Sequence, residues 1–252
     1  MNSIFSLGIM NGTSMDGIDC CFAEINLSNS YNFKYNIVKQ KYIPFRDIDI
    51  LKIKNALNTN GKFNYSLDKY LGELYFDIVS KHFSSFNIDV IAIHGQTISH
   101  KSEEYSIQVG TPQFIYEKYK IPVIYNFRRN DIKAGGCGAP LIPFLDWLLF
   151  KDSKNNTITL NIGGIANICH IPSNSKIVDV IGFDTGPGMS LIDECAKMFW
   201  NDRMDKNCRY SMKGNINSEL LHFLMENNYI RQEPPKSTGR SDFGIGMLNS
   251  IK

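Results

Sequence analysis

Short apolar runs separated by a glycine-rich polar loop open the chain. Residues 4–10 are apolar and lead into the polar residues 11–17, after which residues 18–25 resume a strand-like pattern. Two such runs joined by a glycine-rich loop predict a β-hairpin. A third strand is predicted over residues 33–42.

Longer-range periodicity then predicts helices alternating with short strands. Apolar residues recur at helical spacing over 67–86, which predicts a helix. The continuous apolar run at 89–93 is typical of a strand covered on both faces. A second helix is predicted at 111–120 and a strand at 121–125. A third helix is predicted at 140–150, with Pro140 at its start.

The pattern restarts after a polar break at residues 151–156. It predicts strands at 157–162, 165–171 and 177–183, then helices at 190–200 and 218–227. A hairpin with a glycine-rich turn therefore opens each half, which predicts two related α/β lobes over residues 1–150 and 151–252. Such a lobe usually takes on the order of 150 residues. Because residues 244–252 predict no closing element, we expect the second lobe to be incomplete.

Composition narrows the class of protein. The 252 residues carry a net charge of +2, which gives no electrostatic reason to expect a nucleic acid or an anionic membrane as partner. No apolar run approaches the length of a membrane span, and the first residues lack the basic region of a secretory signal. The six cysteines show no CxxC spacing, so we expect reduced thiols in a cytoplasmic protein.

The loop between the first two strands carries the first candidate chemistry. Gly12 and Gly17 leave backbone N–H groups open to phosphate oxygens, Thr13 and Ser14 add hydroxyls, and Asp16 is a candidate Mg²⁺ contact. The competing interpretation is an ordinary hairpin turn, in which these residue types are expected. The loop matches neither the P-loop nor the dinucleotide-binding fingerprint.

Polar residues also follow the predicted strands of the first half. His94-Gly95-Gln96-Thr97 comes directly after the apolar run at 89–93, and open α/β sheets bind ligands at the carboxyl ends of their strands. Gln96 and Thr97 suit the hydroxyl and amide groups of a sugar, whereas a lone histidine such as His94 is more often a structural residue at this position. Arg128 is able to bind a carboxylate or phosphate in a bidentate manner, or to form a surface salt bridge.

The second half repeats the glycine-rich turn and adds a carboxylate. Gly163-Gly164 mirrors the first loop, and two such turns would contact the phosphates of a nucleotide from two sides. Asp184 ends a predicted strand and precedes Gly186-Pro187-Gly188 at the start of a helix. A carboxylate there suits a general base, and the helix N-terminus favours anions. The alternative is that Asp184 caps the helix or the turn.

In their order and spacing these motifs resemble the anhydro-N-acetylmuramic acid kinase family, from Gly8 to about Phe243. The resemblance implies an actin-like, hexokinase-like ATPase fold of two ribonuclease-H-like lobes, with ATP between them. It implies that water opens the 1,6-anhydro ring of the sugar and that ATP phosphorylates the released 6-hydroxyl. The product would be N-acetylmuramate 6-phosphate, in peptidoglycan recycling. ATP and Mg²⁺ are the expected cofactors, and a homodimer is expected.

The resemblance also implies roles for particular residues. Asp184 would be the base that activates water. The residues implied to line the sugar site are Gln96, Thr97 and Arg128. Those implied to contact ATP are Gly12, Thr13, Ser14, Met15, Asp16, Gly17, Ile18, Asp19, Gly163 and Gly164. No metal ligand is assigned.

The sequence departs from the family pattern at Asn126, Cys137, Met189 and Ser241, where the family usually has Asp, Gln, Asn and Glu. The family also continues with a glycine-rich segment for the adenosine and a late acidic segment, neither of which is expected here. Two alternatives to an active kinase therefore stay open. One is a non-catalytic remnant or sugar-binding module, and the other is a related kinase with altered sugar choice.

Overall fold

The computed structural model describes residues 3–12, 14–29, 32–57, 62–101, 103–239 and 242–251. The chain divides into two compact units, Met1–Leu141 and Ile142–Lys252. Both are mixed α/β, as the alternating pattern predicts. No helix in the described part of the chain combines the length and apolar character that crossing a membrane requires. All six cysteines are free thiols.

A five-stranded sheet in the order β3-β2-β1-β4-β7 forms the centre of the first unit. The strands of this unit are β1 (Ser3–Met10), β2 (Gly17–Asn29), β3 (Asn32–Pro44), β4 (Val90–Ile93), β5 (Gln96–Lys101), β6 (Tyr105–Val109) and β7 (Val123–Ile124). Strands β1, β2 and β3 pair antiparallel, whereas β4 lies parallel to β1 and β7 lies parallel to β4. Strands β5 and β6 form a separate hairpin.

One buried hydrophobic cluster joins this sheet to its helices. The helices of the first unit are α1 (Asp47–Leu57), α2 (Tyr65–His82), α3 (Gln113–Tyr119) and α4 (Phe127–Lys133). Alternate residues of the sheet, such as Leu7 and Ile91, pack with Ile53 of α1 and with Leu71 and Tyr75 of α2. This packing fixes the carboxyl ends of β1 and β4, where the candidate residues lie.

The second unit contains a three-stranded antiparallel sheet in the order β10-β9-β8. Its strands are β8 (Thr157–Ile162), β9 (Ile165–Ile171) and β10 (Ile181–Pro187), and its helices are α5 (Ile142–Phe150), α6 (Ser190–Trp200), α7 (Ser218–Met225), α8 (Asn228–Arg231) and α9 (Ile245–Ile251). The hairpin β8-β9 repeats the hairpin β1-β2, which confirms that a glycine-turned hairpin opens each half.

Several local predictions need correction. The strand predicted at 177–183 begins only at Ile181, because Ile177–Asp179 forms a 3₁₀ turn in which the Asp179 carboxylate accepts the Lys176 N–H at 2.8 Å. Helix α5 starts at Ile142 and contacts β9, so it belongs to the second unit, whereas the sequence placed the boundary after Phe150. Helix α9 lies where no element was predicted. Helices α1 and α4 and the hairpin β5-β6 were also not predicted.

Candidate functional site

The first glycine loop, residues 11–17, is held against the protein through the carbonyl oxygen of Gly12. This oxygen accepts the Met15 N–H at 3.3 Å and the Gln96 side-chain amide Nε2 at 3.3 Å. Ser14 Oγ donates to Asp16 Oδ1 at 2.5 Å, which stiffens the far side of the loop. Thr13, which the sequence predicts to contact ATP, lies outside the described residues.

The two glycines of this loop differ in what surrounds them. Among the described residues, a Cβ added to Gly12 would meet only Ser14, at ordinary contact distances of 3.5 Å to its Oγ and 3.9 Å to its backbone nitrogen. A Cβ added to Gly17 would lie 2.5 Å from the Ile43 carbonyl oxygen and 2.7 Å from the Tyr42 ring. Packing within the protein therefore explains why position 17 requires glycine. It does not account for Gly12, where the space in front of the backbone is open to a ligand.

The remaining predicted ATP contacts of the first unit lie at the start of β2. The Ile18 side chain is fully buried in the core, so only its backbone is available to a ligand. Asp19 lies opposite Met10 in the sheet. Burial and the neighbouring Asp16 carboxylate together raise the pKa of the Asp19 carboxyl.

Gln96 lies beneath the loop and is not open to solvent. Its side chain is 1% exposed, as is that of Asn11. Asn11 Nδ2 donates to Gln96 Oε1 at 2.7 Å, and Tyr75 Oη donates to Asn11 Oδ1 at 2.6 Å. Gln96 Nε2 also donates to the Thr97 carbonyl oxygen at 3.2 Å. Each polar atom of the Gln96 amide thus has a protein partner, and Gln96 supports the loop from within the core.

Thr97 belongs to a second polar cluster on the hairpin β5-β6. Gln108 Nε2 donates to Thr97 Oγ1 at 3.1 Å and to Ser106 Oγ at 2.7 Å. The other amide atom, Oε1, is buried and has no hydrogen-bond partner among the described residues. Because both hydroxyls can also donate, exchanging the two amide atoms would leave the other end of Gln108 unpaired instead. One unpaired amide atom therefore remains with either assignment.

A cavity of about 490 Å³, which we call the β4 pocket, lies at the carboxyl ends of β4 and β7. Gln108, His94 and Asn126 are among its polar lining residues. Three aromatic side chains that line it are also partly exposed to solvent: Phe63, Tyr116 and Tyr125. Exposed aromatic rings beside amide groups are suited to a ligand with both apolar and polar surfaces.

Arg128 is fixed by His94, which also lines the β4 pocket. Arg128 Nε donates to His94 Nε2 at 3.1 Å, and Arg128 Nη1 donates to the Gly138 carbonyl oxygen at 2.9 Å. The second ring nitrogen of His94, Nδ1, lies 2.8 Å from the Gly95 carbonyl oxygen. An Nε2 that accepts requires the neutral imidazole with its proton on Nδ1. Burial and the adjacent Arg128 cation lower the pKa of His94, which favours that neutral form.

No carboxylate pairs with Arg128 within the described part of the chain. The guanidinium is half-buried, and burial lowers its pKa. This excludes the surface salt bridge that the sequence left open. A half-buried cation without a counter-ion favours the binding of an anion.

In the second unit, Asp184 lies in the middle of β10, at an irregularity in its pairing with β9, whereas the sequence predicted that it ends the strand. One of its carboxylate oxygens is fixed. Oδ2 accepts the Ser237 hydroxyl at 2.8 Å and the Thr238 N–H at 3.0 Å. Within the described residues Oδ1 has no such partner. Helix α6 begins after Met189 and has no side-chain cap, so Asp184 does not cap that helix.

The second glycine turn, Gly163-Gly164, is joined to the start of α6. The Gly163 and Gly164 carbonyl oxygens accept the N–H groups of Met189, at 2.8 Å, and of Gly188 and Ser190, both at 3.0 Å. A Cβ on Gly188 would lie 2.3 Å from the Gly163 oxygen, so this contact requires glycine. Since these N–H groups are occupied, the start of α6 is a weaker anion site than the sequence indicated.

No group of three or more His, Cys, Asp or Glu side chains within the described ranges has the arrangement of a metal site. The sequence-predicted residues thus fall into two sets, one in each unit. Sequence reasoning did not assign Tyr75, Asn11 or Gln108 to the site. For Gln108 a local signal exists, because Ser106 and Gln108 are polar at alternate positions of an otherwise apolar strand.

Comparison with known proteins identifies the family. The sequence model described as anhydro-N-acetylmuramic acid kinase matches residues 4–251. The chain is 41% identical over 272 residues to the anhydro-N-acetylmuramic acid kinase of Clostridioides difficile strain 630, covering 99% of this chain and 70% of that protein. It is 36% identical over 261 residues to the kinase of the same name from Francisella tularensis subsp. novicida strain U112, covering 98% and 68%.

Among solved structures, the crystal structure of the Aquifex aeolicus member of the Ppx/GppA family matches with a TM-score of 0.38 and 10% identity. It covers 92% of this chain and 64% of that chain. A likeness of that size supports no statement about the fold. The sequence matches do establish the family: the chain belongs to the anhydro-N-acetylmuramic acid kinases.

Proposed function

We propose that this protein is an ATP-dependent kinase that opens and phosphorylates 1,6-anhydro-N-acetylmuramic acid in peptidoglycan recycling. The proposal starts from its family, whose named members are anhydro-N-acetylmuramic acid kinases. In the reaction, water adds its oxygen to the anomeric carbon while the anhydro C–O bond breaks. The 6-oxygen released by that cleavage takes the γ-phosphoryl group of ATP, so ADP and N-acetylmuramate 6-phosphate form and the proton lost by the water stays on the base.

The observation that carries the substrate assignment is the β4 pocket with Arg128 beside it. Anhydro-N-acetylmuramic acid has a sugar ring with apolar faces, an acetamide and a carboxylate. The pocket offers exposed aromatic rings, and its lining includes Gln108, whose buried amide oxygen is unpaired among the described residues. Arg128, bonded to the pocket residue His94, offers a guanidinium without a carboxylate partner in the described residues. We assign the acetamide to Gln108 and Thr97, and the carboxylate to Arg128.

For ATP, the first glycine loop is the main candidate in the first unit. Its Gly12 carbonyl oxygen is turned towards Gln96 and Met15, away from an incoming anion, and the space beside Gly12 is open. The second unit contributes the Gly163-Gly164 turn. Since no three-carboxylate site exists among the described residues, we propose that Mg²⁺ is bound mainly by the ATP phosphates.

Asp184 is the proposed base. Ser237 and Thr238 hold one carboxylate oxygen and leave the other available to a water molecule. The carboxylate would take the proton of that water as its oxygen attacks the anomeric carbon. Because the attacking group is a water molecule, its orientation by the protein matters as much as the basicity of the carboxylate.

The proposed fold is actin-like. In the first unit, three antiparallel strands are followed by two parallel strands on the β1 side, which supports a ribonuclease-H-like lobe. The antiparallel β8-β9-β10 sheet supports a second lobe of the same kind. A homodimer stays a prediction, which sedimentation velocity would test.

Titration calorimetry with ATP·Mg²⁺, with and without the sugar, tests the proposal. We expect the wild type to bind both ligands and Gly12→Ala to lose ATP affinity about tenfold or more, because the new methyl group fills ligand space. Gly214→Ala is the matched control, since a Cβ there would meet only the Ser211 carbonyl oxygen at 3.6 Å. Sugar binding without ATP binding would instead indicate a sugar-binding module.

A further inference from the structure

A directed chain of buried hydrogen bonds runs from helix α2 to the first glycine loop. Tyr75, Asn11 and Gln96 are 0%, 1% and 1% exposed. Tyr75 Oη lies 2.6 Å from Asn11 Oδ1, Asn11 Nδ2 lies 2.7 Å from Gln96 Oε1, and Gln96 Nε2 lies 3.3 Å from the Gly12 carbonyl oxygen. Residues 64 positions apart along the chain are thereby joined.

The direction of every bond in this chain follows from its last member. Gln96 faces two backbone carbonyl oxygens, those of Gly12 and Thr97, and only its NH₂ group can bond to both. Gln96 Oε1 must then face Asn11, so Asn11 presents its NH₂ group there and its oxygen to Tyr75. The Tyr75 hydroxyl is therefore the donor, and no alternative assignment of the amides satisfies the chain.

Tyr75 is itself held in place. A Cβ on Gly110 would lie 2.3 Å from the Tyr75 ring and 2.9 Å from its hydroxyl oxygen, so the Gly110 backbone packs closely on it. The Gly110 N–H in turn donates to Asp68 Oδ1 at 2.8 Å, and Asp68 lies on the same helix as Tyr75. The hydroxyl cannot move away from Asn11 without displacing this backbone.

We infer that Tyr75 is a positioning residue for ATP: through Asn11 and Gln96 it fixes the Gly12 peptide with its carbonyl oxygen turned inward. The inference rests on the proposed function only in naming ATP as the ligand. Without the Tyr75 hydroxyl, Asn11 Oδ1 is left buried without a donor. A shift of the Asn11 side chain towards water relieves that cost, and it breaks the bond that holds Gln96. The Gly12 carbonyl oxygen would then be free to turn outward, where it repels phosphate oxygens.

Two readouts test this inference on the full chain. The first is amide hydrogen exchange of Met15, whose N–H donates to the Gly12 carbonyl oxygen, in the protein without nucleotide. The second is the ATP·Mg²⁺ dissociation constant. We expect Tyr75→Phe to raise the Met15 exchange rate and the ATP·Mg²⁺ dissociation constant about tenfold each, which is the size of effect expected from one lost buried hydrogen bond. Asn11→Asp breaks the next bond without changing the side-chain volume and should speed Met15 exchange to the same extent. Because its added charge also repels ATP, only the exchange readout is used for this variant.

Tyr119→Phe is the matched control, because Tyr119 also bonds through its hydroxyl, to Ser80 Oγ at 2.9 Å, but has no bond to the loop. It should leave both readouts within about twofold of wild type. If Tyr75→Phe lowers the melting temperature but changes neither readout, Tyr75 is merely structural and the inference is wrong. If Tyr75→Phe does not fold, Met15 exchange in Asn11→Asp decides: faster exchange supports the inference, and unchanged exchange overturns it.

The two readouts also separate this inference from the proposed function. A wild type that binds no ATP overturns the proposed function. Met15 exchange then decides the inference alone: faster exchange in Tyr75→Phe and Asn11→Asp supports it, and unchanged exchange overturns it.

Discussion

Replacement of Asp184 by asparagine removes the proposed base while preserving the local structure. Asp184 Oδ2 accepts from Ser237 Oγ at 2.8 Å and from the Thr238 N–H at 3.0 Å. The carbonyl oxygen of asparagine can occupy the same place and accept both hydrogens. The change therefore removes the negative charge and its capacity to take a proton, and it retains both hydrogen bonds.

The expected magnitudes distinguish catalysis from stability. Hydrogen bonds to a charged group contribute about 1.5–3 kcal/mol and neutral ones about 1 kcal/mol, so weakening two of them costs about 1–4 kcal/mol of unfolding free energy. Loss of a general base typically lowers a rate by about 10²–10⁴. We therefore expect kcat to fall about 10³-fold, which corresponds to about 4 kcal/mol of transition-state stabilisation. ATP affinity should be nearly unchanged.

The assay is a coupled measurement of ADP release with saturating sugar and ATP, alongside thermal melting and ATP titration. Asp242→Asn is the matched control: Asp242 accepts the Thr238 hydroxyl at 2.7 Å, so the same chemical change is made in the same loop. It should keep kcat within about threefold of wild type, a difference below 1 kcal/mol. A folded Asp184→Asn variant with near-wild-type kcat, or one that loses ATP affinity, would refute the assignment of Asp184 as the base.

Four further predictions follow from the described contacts. Gly17→Ala should destabilise the fold by about 1–3 kcal/mol in urea unfolding, because the Cβ would lie 2.5 Å from the Ile43 carbonyl oxygen, whereas Gly12→Ala should be nearly neutral. Asn64→Ala should lower stability by about 1 kcal/mol, measured by the same method, because Asn64 Oδ1 caps α2 by accepting the Leu67 N–H at 2.9 Å. Arg128→Lys should raise the KM for the sugar about tenfold with little change in the KM for ATP, because lysine cannot keep the bonds to His94 and Gly138 together. The pKa of His94 is lowered in the folded state, so its contribution to stability is full above the unfolded pKa of about 6.5 and is lost as the pH falls from there through the folded pKa. His94→Gln, which does not titrate, should therefore reduce the difference in urea stability between pH 7.5 and pH 5.5. An unchanged difference would contradict the buried neutral imidazole.

Elements with a simple local period were predictable from the sequence. The hairpins β1-β2 and β8-β9 and helix α2 have clear periodicity and turn residues, and all three are present. Helix α1 was missed because Asp49, on its buried side, interrupts the apolar pattern and is 2% exposed. Its carboxylate is satisfied by Arg46 at 2.9 Å and by the Tyr70 hydroxyl. The local sequence of α1 does not indicate that a hydroxyl on α2 would bond to Asp49.

In the candidate site, too, some residues were predictable from local sequence and others depend on contacts between elements. Asp184, Arg128 and the glycine loop stand at the ends of predicted strands, so sequence position alone made them candidates. The chain of buried hydrogen bonds from Tyr75 to Gly12 depends on packing between α2 and β1, which periodicity within one segment does not reveal. The sequence also predicted that Gln96 lines the sugar site, whereas both ends of its amide form hydrogen bonds inside the core.

The measurement that tests the central claim most directly is mass spectrometry of the product formed from anhydro-N-acetylmuramic acid and ATP·Mg²⁺ in ¹⁸O-labelled water. The proposed reaction predicts a sugar phosphate that has gained one water as well as one phosphoryl group, with a single ¹⁸O at the anomeric carbon. Unchanged sugar, or a phosphorylated sugar that has gained no water, would contradict it.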